Sequence, residues 1–165
     1  MIRISKKGDY AVVIMGFLAQ RGAHPGNAPG LPCSAPGLPC SAQEISQQTS
    51  LQKPVVANLL KGLTRAGLLE SVRGIHGGYR LTRLPEEITL GQILRVVEGP
   101  FMLVDCTHPA AEVDPKGQCR LEGFCPSRSP MRGLHERIQR MIDEIRLPEL
   151  CGAKSTSALF PSLVR

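Results

Sequence analysis

Apolar residues recur at helical spacing in several stretches of the chain and form two shorter, strand-like runs. Side chains three or four positions apart fall on one face of a helix, which predicts amphipathic helices. We place these helices at residues 5–20, 42–48, 54–65, 89–98 and 129–147. The runs at 68–73 and 79–83, with glycines between them, predict a β-hairpin. This order predicts a mainly α fold with a small β-hairpin: a winged helix-turn-helix followed by a long C-terminal helix.

Local signals mark where the first three helices begin. Ser5 can cap the first helix, and Ser41 has the capping-box spacing to Glu44 before the second. Pro54 suits the first position of the third helix, where its missing N–H leaves no hydrogen bond unmade. These signals divide the helical part of the chain into separate short helices.

An identical tandem repeat interrupts the pattern, because residues 28–34 and 35–41 both read APGLPCS. Neither a helix nor a strand runs through such a Pro- and Gly-rich segment. We predict that residues 23–41 are a surface loop inserted between the first two helices. Cys33 and Cys40 belong to this loop, and a second thiol site is the alternative to an accidental duplication.

The last helix has a narrow apolar seam. Leu134, Ile138, Met141 and Ile145 alternate at spacings of four and three residues, as in a coiled coil. A helix with one apolar seam and no later domain to cover it predicts a homodimer through residues 129–148. Packing on its own winged domain is the alternative. We expect the tail, 149–165, to be poorly ordered.

Charge changes the functional picture. The 165-residue chain carries a net charge of +6, and Glu70 is the single acidic residue between positions 52 and 83. Positive charge is therefore concentrated where a winged helix-turn-helix contacts double-stranded operator DNA. Arg and Lys pair with guanine edges and Asn or Gln with adenine, while glycines in the wing allow close approach. The candidate DNA-contacting residues are Gln52, Lys53, Asn58, Lys61, Arg65, Arg73, His76 and Arg80.

Three cysteines lie close together after the winged module, at Cys106, Cys119 and Cys125. No stretch is long and apolar enough for a membrane span, and the N-terminus lacks a signal-peptide cleavage pattern, so we expect a cytoplasmic protein with reduced thiols. Clustered thiols then favour an iron–sulfur centre or a metal site. Zinc is the main alternative metal, although no C-x2-C pair is present in this segment, and a thiol-based peroxide switch is a further one.

Three segments resemble the Rrf2 family of bacterial regulators, which includes IscR and NsrR. They are RISKKGDYAVVIMGFLA, LQKPVVANLLKGLTRAGLLESVRGIHGGYRL and EEITLGQILRVVEGP. The likeness is greatest to regulators of SUF-system iron–sulfur assembly. It implies a homodimeric repressor with a DNA-binding domain at 1–84, a linking helix at 85–104, a cluster-binding loop at 105–128 and a dimerisation helix at 129–148.

The resemblance also implies a cluster on Cys106, Cys119 and Cys125, with 2Fe–2S favoured and 4Fe–4S possible. Twelve residues separate the first two cysteines, more than is common in the family, and Arg128 stands where IscR-like members have a ligating histidine. Asp9 matches an aspartate that the partner subunit supplies in nitric-oxide sensors, so it is the favoured fourth ligand.

His108 and Glu122 are the alternative fourth ligands within the cysteine segment, and a small thiol or no fourth ligand is a further alternative. A metal-free or zinc-binding winged-helix regulator or scaffold is the alternative function. No nucleophile and base are paired in the motifs, so we do not expect an enzyme.

Overall fold

The structure is a computed structural model that describes residues 3–21, 39–75, 77–104 and 124–151. Within these ranges helices dominate, with one short hairpin between the third and fourth α-helices. The elements are α1 (Lys6–Arg21), α2 (Ala42–Thr49), α3 (Lys53–Arg65), β1 (Leu69–Val72), β2 (Gly78–Leu81), a 3₁₀ helix (Pro85–Glu87), α4 (Leu90–Glu98), α5 (Arg128–Glu144) and α6 (Leu147–Leu150). No described helix is long and apolar enough to cross a membrane. The mainly helical fold with an antiparallel hairpin is confirmed.

The first helix lies at the centre of the core. Ile14 and Met15 of α1 are fully buried, and the helix packs against α2, α3, α4, α6 and β2. Its weakly polar outer face predicted such burial on most sides. Ser5 caps α1 as expected, because the Gly8 N–H donates to the Ser5 hydroxyl at 3.2 Å. Most of the other helices are therefore arranged around α1, while α5 packs on α4.

The helix-turn-helix follows the predicted boundaries within a residue or two. The Ser41 hydroxyl accepts a hydrogen bond from the Glu44 N–H at 3.2 Å and caps α2. Ser50, after α2, takes the left-handed conformation with φ 57°, which turns the chain toward α3. Pro54 lies in the first turn of α3, one residue later than predicted. At either the first or the second position of a helix the backbone N–H has no partner within the helix, so proline loses no hydrogen bond there.

The hairpin pairs Leu69 with Leu81 at its base and Val72 with Gly78 near its tip. A third segment joins it, because Cys40 and Tyr79 exchange two backbone hydrogen bonds of 3.0 and 2.8 Å. Cys40 is 0% exposed. The prediction that Cys40 belongs to a surface loop is therefore wrong: a small, apolar thiol fits the core, and backbone pairing with β2 holds it there. The rest of the predicted insert, through residue 38, lies outside the described residues.

The long C-terminal helix ends earlier than predicted. α5 stops at Glu144, and α6 begins three residues later with Pro148 in its first turn. The Leu90 N–H donates to the Ile145 carbonyl and the Leu147 N–H to the Ile88 carbonyl, both at 2.9 Å. This bridge turns the chain back toward α1. Leu147 is consequently fully buried, and the first residues of the predicted tail are part of the fold; residues 152–165 lie outside the described ranges.

One side of α5 packs on its own domain. His135 is buried and stacks on Phe101, with ring centroids 5.2 Å apart. Leu134 and Met141, two members of the apolar seam, are instead 44% and 42% exposed. The helix therefore uses one face for intramolecular packing and leaves a second, partly apolar face open to solvent.

Candidate DNA interface and cysteine site

The third helix separates an apolar face from a polar one. Val56, Leu59, Leu60 and Leu63 are buried in the core. The opposite face carries the predicted DNA-contacting residues at positions 58, 61 and 65, which are all exposed. Their spacing of three and four residues aligns them along one stripe of the helix. Such a stripe matches the face that a recognition helix turns toward the major groove.

The start of α3 adds two further predicted residues. Gln52 is the N-cap residue, and its side chain makes no capping hydrogen bond. Lys53 is exposed and its Nζ donates to the Gln43 amide oxygen at 3.2 Å. This contact links α3 to α2 across the turn of the helix-turn-helix. Both side chains lie at the helix end whose N–H groups and partial positive charge suit a phosphate.

The wing holds its predicted residues in unequal settings. Arg73 is exposed at the end of β1. Arg80 is half-buried, and its Nε donates to the Glu70 carboxylate at 2.6 Å across the hairpin. The pairing partly neutralises Arg80, leaving Arg73 as the more available cation. His76 lies outside the described residues.

Sequence reasoning treated Glu70 as an isolated acid and missed its role in the wing. Glu70 and Arg80 are direct cross-strand partners in the hairpin register. Opposite charges at such positions attract one another, and the register follows from the hairpin itself. Counting back from the glycine turn could have found this pair.

The cysteine site is only partly within the described ranges. Cys125 is half-buried and precedes α5, and the Arg128 N–H donates to its carbonyl at 3.3 Å. Cys106, Cys119, His108 and Glu122 lie outside the described residues. The part of the chain that is described contains no group of three metal-ligating side chains. Of the predicted ligands, the described ranges include Cys125 and Asp9.

Asp9, the favoured fourth ligand, is exposed in the first turn of α1. Its backbone N–H donates to the Ser5 carbonyl at 3.0 Å, so the residue is fixed in the helix while its carboxylate faces solvent. An exposed carboxylate can reach a group on another chain. It also interacts favourably with the helix dipole, which is the alternative reason for an acid at this position.

The donor set fits an iron–sulfur centre or zinc by its chemistry. Three thiolates with one carboxylate or imidazole supply four ligands of the types that both centres accept. Cys125 also precedes the N-terminal end of a 17-residue helix, whose dipole favours a nearby negative charge. The first turn of α5 contains no acidic residue, so the start of this helix favours an anionic centre.

Two other thiols in the described part of the chain are engaged structurally. Burial raises the pKa of the Cys40 thiol to about 11, partly opposed by a hydrogen bond from the Arg21 guanidinium at 3.1 Å. The Cys151 thiol donates to the Leu147 and Gly16 carbonyls, at 3.1 and 3.6 Å. A buried, protonated thiol is a poor nucleophile and metal ligand. These contacts argue against a second thiol site at Cys40.

Most of the chain matches a known protein family. The profile of the Rrf2 family, described as iron-dependent transcriptional regulator, matches residues 31–153. The regulator IscR of Aliivibrio salmonicida is 31% identical over 149 residues, covering 90% of this chain and 77% of the relative.

Two solved structures share the fold. That of CymR, the global cysteine regulator of B. subtilis, has a TM-score of 0.64 and 28% identity, covering 94% of this chain and 100% of that one. The structure of T. potens IscR has a TM-score of 0.61 and 28% identity, covering 90% and 85%.

Proposed function

This chain belongs to the Rrf2 family of transcriptional regulators, and on that premise we propose that it represses iron–sulfur cluster assembly genes from the cytoplasm. In this proposal it binds operator DNA as a homodimer and responds to an iron–sulfur centre on its cysteine segment. The family and its relatives are DNA-binding regulators, so the expectation that the chain is not an enzyme is confirmed.

The exposed polar stripe of α3 carries the DNA-binding part of the proposal. Asn58, Lys61 and Arg65 project from a helix whose opposite face is locked into the core. α3 contains no acidic residue, so nothing along it repels phosphates. A rigidly mounted amide and two cations supply both base-edge and phosphate contacts.

The DNA-binding test begins with an operator obtained by in vitro selection from random duplexes. We expect Lys61→Ala to weaken binding and to reduce the slope of log K against log salt by about one, as for a lost phosphate contact. Arg132→Ala removes the same charge from the exposed surface of α5 and is the matched control. Equal affinities and slopes for Lys61→Ala and the wild-type protein would contradict the proposed interface.

The open face of α5 supports the dimer. Leu134 and Met141 are exposed large apolar side chains one heptad apart. Burying them against a second copy of the chain would remove apolar surface from water. A two-fold dimer also matches paired half-sites about one DNA turn apart. We expect Leu134→Asp to lower the mass measured by sedimentation from dimer to monomer. A dimeric Leu134→Asp protein would show that another surface holds the subunits.

The cluster proposal assigns the ligands to Cys106, Cys119 and Cys125. An iron–sulfur centre bound there would make the start of α5 respond to oxidation and to the cell's supply of clusters. The chain's own residues connect this region to DNA: α1, which carries Asp9, contacts both α2 and α3 of the helix-turn-helix. Ligation that joins the cysteine segment to α1 would thus favour one arrangement of the recognition helices over another.

Anaerobic purification with absorption spectra and iron and sulfide analysis tests this assignment. We expect a coloured wild-type protein, loss of the spectrum in Cys125→Ser, and retention in Cys151→Ser, whose thiol faces carbonyls in the core. A colourless, iron-free wild-type protein after reconstitution would refute the cluster.

Asp9 is the proposed fourth ligand, supplied across the dimer because it is exposed on α1. Asp9→Asn removes the charge while keeping the shape of the side chain. We expect the variant to fold normally but to lose its cluster faster in air than the wild type. An unchanged rate would direct the assignment to His108 or Glu122.

The likeness to CymR favours a second candidate function. CymR is described as a cysteine regulator, and its fold covers nearly the whole of this chain. The alternative is therefore a metal-free or zinc-binding regulator or scaffold of the same winged-helix design. DNA binding that is identical for wild type and Cys106→Ser under all redox conditions would support it.

A further inference from the structure

The tip of the wing presents a large apolar side chain entirely to solvent. Ile75 is 99% exposed, far more than the other exposed large apolar residues of the described chain. It lies in the turn between Gly74 and Gly77, and glycine commonly forms tight turns. An isoleucine at this position contributes nothing to the core, and its whole side chain is available to a partner.

The turn that carries Ile75 has a backbone geometry that depends on its glycines. The Gly77 N–H donates to the Gly74 carbonyl at 2.9 Å and closes the turn. Gly74 has φ 119°, and a Cβ at Gly77 would overlap the backbone of Val72 and Gly74. Both glycines are therefore required by the geometry. In this geometry the side chain of Ile75 is directed to solvent.

The base of the wing is anchored equally firmly. Leu69 and Leu81 pair across the hairpin and are buried, and Cys40 pairs with Tyr79 along the outer side of β2. Three strand intervals of about 3.3 Å carry the end of β1 about 10 Å from this base. A β-branched side chain with few rotamers thus extends from the domain on a rigid support.

The surroundings of Ile75 are positively charged. Arg73 is exposed two residues before it, and residues 71–83 include no acid. The wing also leaves directly from the end of α3, where the Leu68 N–H donates to the Leu63 carbonyl at 3.0 Å. When the polar stripe of α3 lies in the major groove, the wing is carried toward the neighbouring sugar–phosphate backbone and minor groove. Charge complementarity therefore favours DNA over an apolar protein surface.

We propose that Ile75 is an apolar wedge that inserts into the minor groove beside the segment read by α3. This inference rests on the proposed DNA-binding function and adds a specificity determinant to it. Apolar wedges of this kind partly unstack a base step and bend the duplex. Pyrimidine–purine steps deform most easily, so Ile75 would favour operators with a TA or CA step beneath the wing.

Salt dependence separates this contact from an electrostatic one. With the selected operator, we expect Ile75→Ala to weaken binding by about tenfold with an unchanged slope of log K against log salt, because no counterion is involved. Arg73→Ala should instead reduce the slope by about one. Leu84→Ala, an exposed apolar residue outside the hairpin, is the matched control and should bind like the wild type.

A second measurement tests the wedge through the DNA. Replacing the flexible step under the wing by a stiff A-tract should weaken wild-type binding, while Ile75→Ala should bind the two duplexes equally. The melting temperature of Ile75→Ala should match that of the wild type, since the side chain is exposed.

The outcomes distinguish this inference from the proposed function. If Lys61→Ala weakens binding but Ile75→Ala does not, the wedge is overturned and the DNA interface stands. A changed salt slope in Ile75→Ala would also overturn the wedge. If neither variant alters binding, the proposed DNA interface fails together with the inference.

Discussion

The return of the chain through α6 makes Leu147 a sensitive position for stability. Its side chain is fully buried between α1 and the 3₁₀ helix, and its N–H donates to the Ile88 carbonyl at 2.9 Å. Leu147→Ala removes three buried carbons, which at about 0.8 kcal/mol each amounts to about 2.4 kcal/mol of transfer free energy. The cavity left behind raises the expected loss to about 3–5 kcal/mol, because the surrounding core relaxes only partly.

Urea unfolding of the wild type and Leu147→Ala at equal protein concentration measures this loss. Leu84→Ala is the matched control, since the same substitution at an exposed leucine should cost less than about 1 kcal/mol. The backbone bridge to Ile88 should survive, so the slope of free energy against urea should not change. A loss below about 1 kcal/mol for Leu147→Ala would show that α6 does not unfold together with the domain, and the reasoning would then be wrong.

Substitution of glycines and modification of thiols both test the pairing of Cys40 with Tyr79. Gly78→Ala would place a Cβ against the backbone of Cys40, so we expect the free energy of unfolding in urea to fall by about 1–3 kcal/mol. Gly133 lies at an open helical position, so Gly133→Ala should instead raise the free energy of unfolding by about 0.5–1 kcal/mol. Equal effects of the two substitutions would contradict the close approach of Gly78 to Cys40. In the metal-free protein at pH 8, iodoacetamide should modify Cys125 well before Cys40, whose labelling should require unfolding; mass spectrometry showing equal rates would refute its burial. Because burial raises the pKa of Cys40 from 9.0 to about 11, its neutral thiol stabilises the fold below pH 9. That stability should be lost as the pH rises toward 11, a loss that Cys40→Ser should lack when unfolding free energies are compared.

The wing shows how a small two-stranded sheet is held in place without a large core of its own. A two-stranded hairpin is marginal by itself, yet here its base is buried and Cys40 adds a short third pairing. The stability of the wing therefore comes from the helical domain. Its tip is left free to carry exposed residues such as Arg73 and Ile75.

The start of α1 contacts the end of α4, the last helix before the cysteine segment. The Ser5 N–H donates to the Glu98 carboxylate at 2.9 Å, and a Cβ at Gly8 would overlap the same carboxylate. Arg95 of α4 forms an ion pair with Asp143 of α5. The two contacts join the first turn of α1, which holds Asp9, to both elements that flank the cysteine segment.

Much of the helical arrangement was predictable because its signals are local. Ser41 and Thr89 accept hydrogen bonds from N–H groups three residues ahead, and such caps depend only on neighbouring residues. The period of apolar side chains likewise predicted the buried faces of α1 and α3. The stripe of α3 followed directly, since residues opposite the buried face must be exposed.

The family resemblance was carried by the same segments, and the match to the Rrf2 profile confirms it. Basic residues around α3 and the hairpin pointed to DNA before any fold was known. The thiols pointed to a centre by their number and closeness along the chain. These properties belong to composition and spacing, which a sequence contains in full.

Only the tertiary structure decided which individual side chains are buried and which are exposed. Cys40 changed from a loop residue to a core residue through its pairing with Tyr79, a partner 39 positions away. The end of α5 and the burial of Leu147 depended on a bridge to the segment before α4. Seam periodicity could not tell which side of α5 would pack on Phe101 and which would remain open. Local hydrogen bonds and periodicity are encoded within a few residues, whereas these outcomes depend on contacts between distant segments that exist only once the chain has folded.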